Sequence, residues 1–535
     1  MKPPEPIRGL DHLGVQAPCI ALYGQLLPGI TNVTDRARYY SFHPWLLRSF
    51  ERRYADHSGD EFRRVLRRAE CLFALIAIRH ARVVDDNDDG RHGRAMVGRD
   101  KLLRIEETST FDLDDYARLE GPNRDFKNKL GGLGQYYFGP LRDLRVLDHH
   151  QGAGYPGYDK ERGLKLAEAF ASAVPEDKFF RVLEQPTTTW KQLDGLATFC
   201  PCGLHANKAE HELLIDLFLA RTEAFRGDGG AMRRASLGLM LDLSSQTARD
   251  AKYAFEGLLR GGAYTGALVD GSAWKVAKPL ERVLRGWGTY QRNELLSIAV
   301  QGLFAAVLRA IERDEAHSIR QATDASDIAV RLLSSFGADL KLPLDDLVAR
   351  VRGELPALVD WQKEGHELQR GWRLQNLPLK DDAKLEAIAQ ESIAILLALL
   401  ARGVDEYPYG DFELDAEYFD PREVHLLSLR HASKTAWAGL TVEAWVRWLA
   451  VQWGVTRHLR VALRKLRGER RDTFRIRPLE GELRVVEAPE PVFTQPRVSR
   501  AQQILRDLGL VEYDDEEVMV LTDLGQTELE ACRVG

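Results

Sequence analysis

The sequence predicts a mainly α, multi-domain helical protein with a small β-hairpin and a C-terminal winged helix. A chain of 535 residues is long enough for two to four domains. Residues 231–435 are rich in Ala, Leu, Arg and Glu, with Gly and Pro turn signals between apolar-periodic stretches, which is typical of consecutive helices. Short alternating stretches near the C-terminus indicate strands. We therefore expect three domains, at residues 1–225, 231–435 and 436–535.

The composition indicates a soluble globular protein, with 44% hydrophobic and 29% charged residues. The net charge of −6 means that any nucleic-acid surface must be a local patch. Five scattered cysteines suit a reducing compartment, and the N-terminus has no run of the signal-peptide type. The strongly apolar segment 392–400 is too short for a membrane span of about 20 residues. The sequence predicts a cytoplasmic protein without a membrane partner.

The N-terminal region is most distinctive at residues 28–47, PGITNVTDRARYYSFHPWLL. Arginines interleaved with aromatic residues could stack on bases and hold phosphates, which makes Arg36, Arg38, Tyr39 and Tyr40 a possible secondary binding patch. The alternative is that the aromatic rings form core and the arginines pair with acids such as Asp35. The density of large aromatic residues favours the core interpretation.

The phrase PGITNVTDRARYY followed by F-x-PW resembles the N-terminal signature of uncharacterised bacterial proteins found in phage-defence gene clusters. The similarity extends to about residue 50, and the ends of those proteins also resemble the winged-helix-like tail of this chain. The resemblance implies an antiviral-defence setting. It implies no mechanism, and no functional residue can be transferred from it.

Two stretches resemble metal sites. Residues 85–90, DDNDDG, begin like a calcium loop, but Met96 stands where a bidentate Glu is required, so we expect a solvated turn. The second stretch is residues 199–211, FCPCGLHANKAEH. Four of its side chains are possible zinc ligands: Cys200, Cys202, His205 and His211. The Cys-x-Cys spacing is shorter than usual and no second Cys pair exists, which favours a buried apolar cysteine pair. The sequence thus predicts no metal and no cofactor.

The strongest partner-binding signal is residues 455–471, VTRHLRVALRKLRGERR, with seven Lys or Arg against one Glu. In a helix one narrow face carries five arginines: Arg457, Arg460, Arg464, Arg467 and Arg471. Leu459, Leu463 and Leu466 fall on the opposite side and are expected to pack on the protein. We expect Thr441 to cap this helix, which would run unbroken through a tryptophan cluster for about 30 residues. The arginines lack acidic partners four residues away, which favours an anion-binding surface over a merely solvated face.

The C-terminal region predicts a hairpin from residues 472–477 and 483–488. A helix at 499–508, a two-stranded wing at 510–513 and 518–521, and a last helix at 526–532 follow, in the order of the second half of a winged helix. In a DNA-binding version the first of these helices would read the major groove with Arg497, Ser499, Arg500, Gln502, Gln503 and Arg506. The acidic wing tip at 514–517 would repel phosphates, so use of this module in protein contacts is an equal alternative.

No complete catalytic motif is present. The predicted function is a non-enzymatic scaffold or adaptor subunit of an anti-phage defence or DNA-maintenance complex. It would bind DNA or a partner subunit, such as an ATPase, helicase or nuclease, through the basic helix and the winged helix. One alternative is a winged-helix transcriptional regulator, which needs base contacts. The other is a metal-dependent nuclease with a two-metal site drawn from Asp85, Asp88, Asp89, Asp112, Asp114 and Asp115.

Overall fold

The computed structural model describes residues 11–84, 91–106, 110–124, 126–149, 154–227, 229–246, 253–403, 406–407, 423–469, 472–514 and 518–534. Helices account for 63% of the chain and strands for 6%, which confirms the mainly α class. Three predicted features lie outside the described residues, namely the turn at 85–90, Arg471, and the wing tip beyond residue 514.

The helices, in chain order, are α1 (Ala17–Leu26), α2 (Tyr39–Arg53), α3 (Gly59–Val84), α4 (Arg99–Leu102), α5 (Asp114–Ala117), α6 (Phe138–Asp143), α7 (Arg162–Ala171), α8 (Glu176–Leu183), α9 (Trp190–Leu193), α10 (Lys208–Leu219), α11 (Glu223–Arg226), α12 (Gly230–Gln246), α13 (Phe255–Thr265), α14 (Lys278–Arg313), α15 (Asp324–Leu332), α16 (Leu344–Glu354), α17 (Glu367–Asn376), α18 (Leu385–Ala401), α19 (Leu426–Lys434), α20 (Val442–Trp448), α21 (Thr456–Glu469), α22 (Val498–Asp507) and α23 (Asp523–Val534). The strands are β1 (Thr110–Phe111), β2 (Leu147–His149), β3 (Pro156–Tyr158), β4 (Thr188–Thr189), β5 (Ser318–Ile319), β6 (Ile476–Leu479), β7 (Glu482–Val485), β8 (Val511–Tyr513) and β9 (Met519–Leu521).

The chain forms two compact units, each assembled from segments far apart in sequence. Unit 1 comprises Met1–Tyr23 and Thr247–Pro496, and unit 2 comprises Gly24–Gln246 and Arg497–Gly535. This division differs from the three consecutive domains expected from the sequence. The reason is long-range pairing: the Sγ of Cys19 accepts a hydrogen bond from Asn293 within unit 1, and Arg36 binds Asp507 within unit 2.

The core of unit 2 is built around α2, which packs on α7 and α3. The ring of Phe42 stacks on Phe73 of α3 with centroids 4.2 Å apart. Trp45 contacts the rings of Phe170 and Phe199 at 5.1 and 5.3 Å. The aromatic side chains of the distinctive N-terminal segment are therefore core, as their density predicts.

The core of unit 1 is built around α14, which packs along α18, α13 and α17. Pro279 lies in its first turn, where the fixed φ of proline favours helix initiation. The polar residues 291–294 are buried in the middle of this helix. An 18-residue window of α14 has mean hydropathy 1.7, long and apolar enough to cross a membrane, but 83% of it is buried inside the protein.

The C-terminal elements divide between the units. β6 and β7 form the predicted hairpin in unit 1, and β5 adds a third, antiparallel strand to it. In unit 2, α22 is followed by the antiparallel pair β8–β9 and by α23, in the order that the sequence predicts. Gly509, with φ +65°, makes the turn between α22 and β8, a conformation that favours glycine.

Candidate binding helix and candidate metal centre

The helix that carries the arginine row begins after an interruption. Thr441 Oγ1 accepts a hydrogen bond from the backbone N–H of Ala444 at 3.2 Å, which confirms the predicted cap. Between α20 and α21, Leu449–Val455 is π-helical, and Gly454 has φ −89° and ψ −106°, outside the helical range. The prediction of one unbroken helix is therefore wrong, because the helical path breaks at a glycine.

The face of α21 that packs on unit 1 is not the leucine face. Val461, Ala462 and His458 are buried, whereas Leu463 and Leu466 are 46% and 39% exposed. The expectation that these leucines pack on the protein is wrong. The buried arc, made of Val461, Ala462 and His458, lies between the leucines and the arginine row on the circumference of the helix.

His458 is a neutral core histidine. Its Nε2 accepts a hydrogen bond from the backbone N–H of Arg475 at 2.8 Å, so its proton is on Nδ1, which donates to the carbonyl of His12 at 3.0 Å. Burial, together with the positive charges of Arg475 and Lys465, lowers the pKa of His458 to about 4.

The arginines of the row divide into two groups. Arg457 is largely buried, donates from Nε to the carbonyl of Leu13 at 2.7 Å, and forms an ion pair with Glu423. Arg464 also reaches Glu423, at 2.8 Å, but its side chain stays 54% exposed. Arg460 and Arg467 are exposed, and neither has an ion-pair partner in the part of the chain that the structure describes. Among the described residues of the row, the cationic surface therefore consists of Arg460, Arg464 and Arg467.

The candidate base-reading residues of α22 make contacts inside unit 2. Arg497 donates to the carbonyl of Ile30 at 2.7 Å, and Arg500 donates to the carbonyl of Asn32 at 2.9 Å while pairing with Asp35. Gln503 donates to Asp507 of the same helix at 2.9 Å. These contacts attach α22 to the segment that precedes α2.

The possible basic and aromatic patch near residue 38 is buried. The side chains of Arg36 and Arg38 are each 1% exposed, and they pair with Asp507 and Glu210, with N–O distances of 3.0 and 3.1 Å. Tyr39 and Tyr40 are fully buried; the Tyr39 hydroxyl accepts from the Val97 N–H, and that of Tyr40 donates to the carbonyl of Gly29. In this structure the four residues form core and present no open surface.

The guanidinium groups of these two arginines also organise two loops. Arg36 donates to the carbonyls of Arg91, His92 and Arg94 at 2.9 to 3.3 Å. Arg38 donates to the carbonyl of Thr198 at 2.6 Å and to that of Cys200. Each arginine thus fixes the backbone of a loop that carries a potential metal ligand.

Four such ligands converge in unit 2: His80, His92, Cys200 and Cys202. One ligand atom from each lies within 4.8 Å of the other three. His80 lies near the C-terminal end of α3, and His92 lies beyond the end of that helix. Cys200 and Cys202 lie on either side of Pro201, the first residue of the 3-10 segment Pro201–Ala206. The Nδ1 of His92 is 3.4 Å from Cys200 Sγ, and the Nδ1 of His80 is 3.3 Å from Cys202 Sγ.

The two thiols differ in acidity. A hydrogen bond from Cys200, with the proximity of His80, lowers the pKa of Cys202 to about 6, whereas burial raises the pKa of Cys200. Of the zinc ligands considered from the sequence, the two cysteines are in this cluster and the two histidines are not. His211 Nε2 is hydrogen-bonded to the carbonyl of Leu508 at 2.8 Å, and the ring of His205 lies against His211.

The carboxylates of the nuclease alternative do not assemble into a comparable cluster among the described residues. Asp114 is paired with the buried Arg68 at 2.7 Å, and Asp112 is 3.7 Å from the same guanidinium. Asp85, Asp88 and Asp89 lie outside the described residues.

Sequence reasoning missed His80 and His92. The available signal was their position on either side of the turn that the sequence predicts at 85–90, since a chain reversal can bring two histidines together. Comparison of this chain with protein-family models, curated proteins and solved structures gives no match.

Proposed function

We propose that this protein is a non-enzymatic scaffold or adaptor subunit that binds an acidic segment of a partner protein through the exposed face of α21. The observation that carries the proposal is the position of Arg460, Arg464 and Arg467 beside the exposed Leu463 and Leu466 on one helix.

The charges give this surface its preference for anions. Of these three arginines, only Arg464 has a carboxylate partner among the described residues. Its partner is Glu423, which also pairs with Arg457. A cluster of exposed guanidinium groups attracts acidic ligands and accelerates their association, most strongly at low ionic strength.

The leucines favour a protein over a nucleic acid. Phosphate contacts need only cationic and hydrogen-bonding groups. Two neighbouring exposed leucines, in contrast, contribute free energy to binding only when an apolar surface of the partner covers them. An amphipathic helix with acidic residues beside its apolar face would match both strips of α21. Use of the residues of α22 in contacts within unit 2 supports α21 as the binding element.

The setting of this function also belongs to the proposal. The N-terminal segment supports a bacterial anti-phage defence or DNA-maintenance complex in the cytoplasm, with an ATPase, helicase or nuclease subunit as the partner. The order α22, β8, β9, α23 supports a winged-helix module that serves protein contacts within the same complex. Double-stranded DNA is the competing ligand for α21.

The test combines two variants that affect different parts of the surface. R460E/R464E/R467E should abolish co-purification with the protein products of the flanking genes. L463S/L466S should weaken the same interaction at least tenfold while leaving any binding to a random-sequence DNA duplex unchanged. Retention of the partner by both variants would refute the proposal, and loss of DNA binding alone would assign α21 to nucleic acid.

A matched control is available in unit 1. Arg320, Arg331 and Lys341 are exposed and lie outside α21. R320E/R331E/K341E changes the net charge by the same amount and should leave the interaction intact. An equal loss with this control would show that the effect is one of total charge and not of the α21 surface.

A further inference from the structure

We propose that His80, His92, Cys200 and Cys202 bind one zinc ion, which joins the end of α3 to two loops of unit 2. The proposal is independent of the binding surface on α21, since it rests on different residues in the other unit.

The spacing of the four donors fits a tetrahedral shell. Zinc at 2.0–2.3 Å from nitrogen and sulfur ligands gives edges of about 3.3–3.8 Å between donor atoms. The two sulfur–nitrogen distances are 3.4 and 3.3 Å, and no donor atom is more than 4.8 Å from another. The side chains therefore need only small rotations to enclose an ion.

The chemistry of the donors selects the metal. Two thiols and two imidazoles are soft and borderline ligands that favour zinc over magnesium or calcium. Four protein ligands fill a tetrahedral shell and leave no position for water or substrate, which is the arrangement of a structural site. The role inferred for the ion is to stabilise unit 2, because Cys200 and His92 are buried where the three segments meet.

The backbone around the ligands is fixed by buried groups. Arg36 holds the carbonyls of residues 91, 92 and 94, and Arg38 holds the carbonyls of Thr198 and Cys200. Each arginine is paired with a buried carboxylate. Moving either guanidinium away would leave a buried charge unpaired, which is strongly destabilising. Two arginines of the N-terminal motif thus orient two ligand-bearing loops from outside the metal shell.

The decisive experiment is metal analysis of the full-length protein, purified without a polyhistidine tag from zinc-supplemented medium. We expect about one zinc per chain. Replacement by Co²⁺ should produce the thiolate-to-cobalt charge-transfer band and the visible bands of a tetrahedral site. Zinc well below stoichiometry together with the absence of these cobalt bands would overturn the proposal.

Variants assign the ligands. C200S/C202S should lose the zinc, and H92Q should reduce its affinity at least tenfold, whereas H205Q should keep one zinc per chain. Retention of zinc by C200S/C202S would show metal bound elsewhere and would overturn the assignment. If C200S/C202S fails to fold, modification of the wild-type thiols decides instead: zinc should be released as Cys200 and Cys202 react, and release before their reaction would contradict the proposal.

Discussion

Arg36 and Arg38 show how far the role of a residue can lie from its apparent one. Arginines between aromatic residues in the sequence suggest a surface for nucleic acid. In the structure, however, their acidic partners Asp507 and Glu210 are 471 and 172 positions away in the chain. Local sequence identifies the aromatic residues of this segment as core, but no local pattern reveals a pairing over such a distance.

The first prediction concerns the buried pair of Arg38 and Glu210. R38M should destabilise unit 2 by about 3–5 kcal/mol, because it leaves a buried carboxylate without its counter-charge. Denaturant unfolding measures the effect. R38M/E210Q should be less destabilised than R38M, and R48M, which breaks a partly exposed pair with Glu168, should cost under about 1 kcal/mol. Equal losses in R38M and R48M would contradict this account.

The second prediction concerns pH and His458. Because burial lowers the pKa of this residue from 6.5 to about 4, only the unfolded chain takes up its proton between these values. The stabilisation is complete above pH 6.5 and is lost as the pH falls towards 4, on the order of 3 kcal/mol in total. H458Q should release about one proton fewer on folding at pH 5, whereas H57Q, at an exposed position, should behave as the wild type. A wild-type stability that is flat from pH 6.5 to 4 would refute the prediction.

At the scale of the element, α21 shows the limit of a helical-wheel argument. The wheel correctly separates the arginines from the leucines. It does not say which part of the circumference packs, and the buried arc instead carries His458, Val461 and Ala462. What decides is the shape of the surface beneath the helix, which depends on residues distant in sequence such as His12.

The third prediction follows from this orientation. V461A should destabilise unit 1 by roughly 1–2 kcal/mol, since it removes buried methyl groups. L463A and L466A should each change the free energy of unfolding by less than about 0.5 kcal/mol, because both side chains are exposed. Thermal and denaturant unfolding of the three variants supply the comparison. A larger loss for the leucines than for Val461 would place the helix in the opposite orientation.

For the whole molecule, periodicity and turn signals were enough to predict the class, the hairpin and the order of the C-terminal elements. They did not predict the two units, because α22 and α23 join a unit whose other residues end at Gln246. Two of the four zinc ligands, Cys200 and Cys202, were found because they lie two positions apart in the sequence. His80 and His92 were missed because only the tertiary structure brings them to the cysteines.

The fourth prediction tests this organisation. A fragment of residues 436–535 combines parts of both units, and in it Glu528 would lose Arg221 and Asp507 would lose Arg36. We expect the isolated fragment to lack a cooperative thermal transition by circular dichroism. The full chain measured in parallel is the control. A sharp transition in the fragment would show that it is an independent domain.

The partnership of Arg36 with Asp507 also bears on how the protein is made. Unit 2 begins at Gly24, yet its second segment begins at Arg497, after the whole of Thr247–Pro496 of unit 1. Through most of synthesis, a guanidinium destined for the interior has no counter-ion, and the surface meant for α22 and α23 stays open. Unit 2 can therefore be completed only after the second segment of unit 1, Thr247–Pro496, has been synthesised, and until then its open surface is exposed to aggregation.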